Sequence, residues 1–226
     1  MFKQKLFWIP LGIYLCFIIP ILWWDIDWQL ANYWYQLEGQ KWALRSYWLT
    51  QNILHDDGHD LAVALYSLIL VLYIFSIKID SLKQHRSGLA YLSLSLPVAT
   101  LTVSLVKRLT TVDCPWNVAD FGGKFQYQSW FDSLWSPIVG SGHCFPAGHA
   151  SSAYMFFGLY FLSRYYWPKK STPILLGIIF IGLIFGFAQQ LRGAHFFSHD
   201  LTSAIVCWLV CWFIWNIRVN RWTKVT

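Results

Sequence analysis

Six apolar runs, separated by polar stretches of unequal length, organise the chain: about 6–24, 61–77, 89–106, 150–166, 173–190 and 201–217. Each holds close to the ~20 residues that cross a hydrocarbon core as a helix. Trp and Tyr flank the ends, as the membrane–water interface favours. The pattern predicts an all-α, polytopic six-helix transmembrane bundle forming one domain over residues 1–226. The third run carries Ser93, Ser95, Pro97, Thr100, Thr102 and Ser104, so that helix is expected to face protein rather than lipid. Lys3 and Lys5 precede the first run, and no small-residue cleavage pattern follows Trp23-Trp24-Asp25. That run therefore reads as an uncleaved anchor.

The polar stretches differ by side. With the N-terminus inside, 11 of the 17 Lys and Arg residues fall in the inner segments and six in the much longer outer ones. The inner set includes Lys78, Lys83, Arg86, Lys169, Lys170 and Lys224. This bias places both termini in the cytoplasm. Ten of the 11 acidic residues then lie outside, with Asp80 the exception. The first outer segment, about 25–60, is rich in Trp and Tyr and predicts an amphipathic helix lying in the interface. The second, about 107–149, contains Asp113-Cys114-Pro115-Trp116 and Gly140-Ser141-Gly142. The third, about 191–200, is short.

Composition agrees with a membrane protein. Hydrophobic residues make up 56% and charged residues 12%, against roughly 25% charged in soluble domains. The mean hydropathy is +0.41. The net charge of +6 forms no basic stripe on a soluble face, so nucleic acid is excluded as a partner.

The candidate chemistry sits on one side. Lys107, His149, Arg192, His195, His199 and Asp200 are far apart in sequence, yet all map to the outer ends of spans three to six. Ionisable groups at one level of a bundle mark a site. Pro146-Ala147-Gly148 forms a turn ahead of the fourth span and puts His149 on its first turn. Backbone N–H groups are free there and suit an anion. Two cations can hold phosphate oxygens, one imidazole can attack phosphorus, and a second can protonate the leaving oxygen. A carboxylate beside the nucleophile would fix its tautomer. No metal or other cofactor is required.

These residues resemble the type 2 phosphatidic acid phosphatases, whose motifs are Lys-x6-Arg-Pro, Pro-Ser-Gly-His and Ser-Arg-x5-His-x3-Asp. Lys107 with Cys114-Pro115 resembles the first, Pro146-Ala147-Gly148-His149 the second, and Gly193-Ala194-His195 with Ser198-His199-Asp200 the third. The resemblance covers roughly 90–210 and implies a lipid phosphate or pyrophosphate substrate in the bilayer. It implies His195 as a nucleophile forming a phosphohistidine, His149 as the general acid, and Lys107 with the Gly148 backbone as phosphate binders. It also implies a bacterial-type cytoplasmic (inner) membrane, with the site facing the periplasm or exterior.

The departures are specific. Cys114 stands where the first motif has Arg, and Ala147 replaces the Ser that would bond phosphate. Gln189 and His199 replace the Arg and Asp of the third motif. Arg192, three residues before His195, is the expected substitute guanidinium, with Arg108 a weaker one. Asp200, His199, Asp113 and Asp120 are the options for the orienting group. The same residues also fit a phosphotransferase passing a phosphoryl group between lipids. The lost motif residues fit a non-catalytic lipid-binding or transport protein on the same scaffold.

Cys114 and Cys144 are the only cysteines in outer segments, and an oxidising compartment would permit a disulfide between them. Cys16, Cys207 and Cys211 read as buried packing residues. His55-Asp56-Asp57-Gly58-His59-Asp60 has metal-like spacing, but a loop cluster this polar is expected to be solvated, and it can help cover the site.

Overall fold

The computed structural model describes residues 2–135 and 142–222. Gly140 and Ser141 of the second outer segment, and Lys224 near the C-terminus, lie outside the described residues. Among the described residues the fold is all-α, with a single isolated bridge between Val118 and Phe125.

Five helices are long and apolar enough to cross a membrane: Gln4–Trp23, Leu49–Phe75, Arg86–Leu109, Pro168–Leu191 and Phe197–Arg218. They make the chain a multi-pass membrane protein. In chain order the α-helices are α1 (Phe2–Trp23), α2 (Ile26–Leu37), α3 (Gly58–Phe75), α4 (Asp80–Lys83), α5 (Arg86–Leu109), α6 (Trp130–Ser133), α7 (Gly148–Tyr154), α8 (Phe157–Tyr166), α9 (Pro168–Leu191) and α10 (Phe197–Trp222). The fourth apolar run, expected as one span, is therefore two helices. Ser151 and Ser152 turn their hydroxyls back onto the carbonyls of Gly148 and His149, at 2.6 and 2.7 Å. Such back-bonding competes with the helical ladder and bends it. The Phe156 N–H then bonds the Ala153 carbonyl three residues back, at 3.1 Å.

The core explains which faces turn inward. On α5, Tyr91, Leu92, Ser95, Ala99 and Val103 recur at helical spacing and are buried. That face packs most extensively on α10, where Cys207, Trp208 and Cys211 are buried. The Tyr91 hydroxyl donates to the Cys211 carbonyl at 3.0 Å, so the buried phenol is satisfied. Ser95 is fully buried, whereas Ser104 at the end of the helix is exposed. The protein-facing expectation for this helix therefore holds over its middle. Cys207 and Cys211 pack as expected. Cys16 does not: it is exposed.

The first outer segment contains the expected helix, α2, with Asp27 and Ala31 buried. Several of its aromatic side chains fold onto the rest of the chain. Trp28, Tyr35 and Trp42 join Val118, Phe121, Phe196 and Tyr127 in a second, smaller core. This core covers the end of the bundle where α10 begins. After a 3-10 turn (Ala43–Ser46), a π-helical segment (Leu49–Asp57) runs directly into α3.

Candidate phosphate site at one end of the bundle

Backbone contacts bring the three motifs together. The Ala147 N–H donates to the His199 carbonyl at 3.2 Å, and the Ser203 hydroxyl donates to the Ala147 carbonyl at 2.8 Å. These bonds seat the start of α7 on the first turn of α10. Thr110, just past α5, donates from its hydroxyl to the Phe145 carbonyl at 2.6 Å. Lys107 is thereby carried over Gly148, its Nζ 3.6 Å from where a Cβ would stand at that glycine. Among the described residues no carboxylate pairs with Lys107. No side chain caps α7, so its first N–H groups remain open to a ligand. Ala147 is buried and offers no hydroxyl.

Cys114 and Cys144 face each other with Cα atoms 5.3 Å apart and their sulfurs joined as a disulfide. The position that carries Arg in the first motif is thus spent on a tether. The tether has a local effect, because it sets the Cys144 backbone beside both His195 and His199.

His195 lies in the turn between α9 and α10. Gly193 opens that turn at φ +66°, a left-handed conformation that favours glycine, and the Trp42 ring covers the space a side chain would need. The Trp116 N–H fixes the turn by donating to the Gly193 carbonyl at 2.9 Å. Burial pushes the His195 pKa well below its ordinary value, with Lys107, His199 and His149 acting in the same direction as neighbouring charges. The imidazole is therefore neutral at physiological pH, with a lone pair available for attack.

His149 is almost as buried. Its Nε2 sits 2.8 Å from the Leu54 carbonyl, and its two faces are stacked by His55 and Phe185, at centroid distances of 4.8 and 4.6 Å. Burial, then the neighbouring His55, push its pKa down from 6.5 to about 4, opposed by the Leu54 carbonyl. Arg192 and His59 add to the depression.

Arg192 points inward and is buried, but its donors are engaged. Nε donates to the Arg45 carbonyl at 3.0 Å, one terminal nitrogen to Gln189 Oε1 at 3.0 Å, and the other to Gln51 Oε1. It stands near His149, yet serves here as a brace. The other candidate orienting groups also have tasks of their own. Asp200 accepts from Gln190 Nε2 at 2.8 Å and lies against Gly186. Asp113 accepts from Asn117 at 3.4 Å, and Asp120 accepts from Trp28 Nε1 at 2.7 Å. The His199 ring centroid lies 5.8 Å from that of His195.

What remains open is informative. Among the described residues, Gln189 Nε2, His195 Nδ1 and His199 Nδ1 are buried without a hydrogen-bond partner, as is Asp200 Oδ1 next to them. Gln189, His195 and His199 occupy the three positions where the third motif has Arg, His and Asp. A buried polar group without a partner costs about 1–3 kcal/mol, so three within eleven residues call for water or a polar ligand.

Several contributors carry no sequence motif. Gln51, Leu54, Trp42 and Asp27 come from the first outer segment, where patterning indicates only an interfacial helix. Asp27 is fully buried and caps α10 from a distance, accepting from the Ser198 N–H at 2.9 Å and from the Ser198 hydroxyl. Its one outward signal is a carboxylate amid aromatic residues. Asp27→Ala is expected to lower stability by about 1–2 kcal/mol, as lost caps do, with Asp27→Asn losing less; thermal unfolding in detergent measures this. Burial raises the Asp27 pKa from 3.8 to about 6. The folded state therefore holds a proton the unfolded chain has released. That stabilising contribution is complete below 3.8 and is lost as pH rises through about 6.

A family model described as PAP2 superfamily matches residues 88–223, the stretch that carries all three motifs. Neither the curated proteins nor the solved structures give a match. With the match spanning more than half of its length, the chain belongs to the PAP2 superfamily, a phosphatase family acting on phosphate esters.

Proposed function

We propose that this protein hydrolyses a lipid phosphate or pyrophosphate at the outer leaflet of a bacterial-type cytoplasmic membrane, through a phosphohistidine on His195. The observation that carries this reading is the trio of buried groups at Gln189, His195 and His199 that have no partner among the described residues, beside Lys107, with which none of their carboxylates pairs. A tetrahedral phosphate oxyanion would accept from Gln189, from Lys107 and from the open N–H groups at Gly148. Attack by a neutral His195 nitrogen forms the P–N bond as the P–O bond to the leaving group breaks. His149 supplies the proton to that oxygen. Water then cleaves the phosphohistidine, and its proton returns to His149.

The helices support a membrane setting. Read as six spans, with α7 and α8 together making the fourth, and oriented by the Lys and Arg bias, the chain would put both termini in the cytoplasm and the site outside. The disulfide beside the site fits an oxidising exterior. The lipid character of the substrate is supported by an apolar cavity of about 560 Å³ between α1, α8, α9 and α10. Ile13, Phe17 and Leu183 line it, and it reaches Leu201, the residue after Asp200.

The test is phosphate release by purified protein from a panel of phosphatidate, phosphatidylglycerol phosphate, polyprenyl pyrophosphate and water-soluble p-nitrophenyl phosphate. Release from at least one lipid, in preference to the soluble ester, is expected. Release from none, or from the soluble ester alone, contradicts the assignment.

A further inference from the structure

The acidic, histidine-containing stretch 55–60 lies outside the family match, and the hydrolysis scheme above makes no use of it. The structure gives it a definite place. His55 Nδ1 bonds Asp56 Oδ1 at 2.7 Å, and Gln51 Nε2 holds both oxygens of the same carboxylate at 3.0 Å. The other end of the Gln51 amide accepts from Arg192. His55 is thus the head of a braced His–Asp pair, and its ring lies flat against His149, at 4.8 Å and 29°. The segment that carries it is π-helical, a form that recurs at functional sites.

Exposure grades along this line. His195 is 6% and His149 8% exposed, whereas the His55 side chain is 38% exposed. The three rings are electrostatic neighbours in that order: His195 senses His149, and His149 senses His55. His149 is closed off on its own. Both faces are covered and Nε2 is held on the Leu54 carbonyl. A buried imidazole among cations resists charging, yet a general acid must carry a proton when the leaving oxygen departs.

We infer that His55, paired with Asp56, is a proton-relay residue that carries protons between bulk water and His149. The Asp56 carboxylate holds the His55 ring in place through Nδ1. Protonated His55 passes a proton, through an intervening water, to His149, which delivers it to the leaving oxygen as the P–O bond breaks and the His195–P bond forms. In the second half-reaction the proton of the attacking water leaves along the same line. Each proton given is recovered, and no other reactant is consumed. His55 acts through His149, so it positions charge and does not touch the substrate. The charged and titratable groups around it are Asp56 on its own segment, His59 at the start of α3, His149 on α7 and Arg192 at the end of α9. The inference rests on the hydrolysis reading above.

The experiment uses the full-length protein in detergent with a lipid phosphate it hydrolyses, in weak buffer, with and without added imidazole. His55→Ala is expected to slow release about 10-fold or more, below the full effect of a general acid, and imidazole is expected to restore the rate saturably. Asp56→Asn, which weakens the bond that holds the His55 ring, is expected to slow release in the same direction and by a smaller factor. His55→Gln, with melting checked against wild type, separates relay from folding. A wild-type rate for His55→Ala overturns the relay. So does a slowed, normally melting variant that imidazole leaves unrestored, or an Asp56→Asn variant with the wild-type rate. These outcomes leave the hydrolysis reading intact as long as His195→Ala is inactive. A wild type that releases no phosphate, or an active His195→Ala, overturns both.

Discussion

Replacing His195 with Ala is expected to reduce phosphate release on the order of 10⁴-fold or more, the scale seen when a covalent nucleophile is removed. The expectation rests on several features of the one ring. It is buried, yet its Nδ1 has no partner among the described residues. It is kept neutral by burial and by Lys107. It is also carried on a turn fixed from two sides, by the Trp116 bond to Gly193 and by the cap Asp27 provides to α10. Little of that scaffold depends on the imidazole itself, so His195→Ala should remain folded. Loss of turnover with an unchanged melting temperature is the predicted pattern. Initial-rate measurements of phosphate release, paired with thermal unfolding, test it.

Lys107→Met is the second large effect, with an expected loss of about 10²- to 10³-fold in kcat/KM, as for removing one main electrostatic contact to the transition state. The usual PAP2 site distributes phosphate charge over more than one guanidinium by the motif resemblance. In this chain Cys114 is used in the tether, Gln189 is neutral, and Arg192 donates to Gln51, Gln189 and the Arg45 carbonyl. Lys107 Nζ then stands over the Gly148 backbone, 3.6 Å from where a Cβ would be. Lys107→Arg should recover only part of the loss, because a planar fork does not replace a compact ammonium in the same space. A steady-state comparison of the two variants checks this. A Lys107→Met enzyme within a few-fold of wild type would mean that phosphate is bound elsewhere.

The parts of the fold legible in the sequence are those set by local periodicity and by motif order. The apolar runs mark the long helices because each must bury or dissolve its surface in lipid along its whole length. The order of Lys107, His149 and His195 shows that they gather at one end. The break at Met155–Phe156 was not legible, since it comes from Ser151 and Ser152 bonding back to the α7 carbonyls, in a run with no Pro or Gly at the break itself. The role of residues 25–60 was also hidden. Asp27, Trp42, Gln51 and Leu54 act on residues more than 90 positions away, and no local pattern encodes such contacts. Arg192 shows the limit of spacing arguments. Its helical register with Gln189 is as expected, but the π-helical segment opposite supplies the acceptor that claims its guanidinium.

The most direct measurement is rapid acid-free quenching during turnover of a lipid phosphate, followed by mass spectrometry of the peptide that spans His195. The account predicts a phosphoryl group on His195 that forms and decays at rates consistent with turnover, and that is absent from His195→Ala. Sustained phosphate release with His195 unmodified throughout, or with the phosphoryl group on another residue, would contradict it.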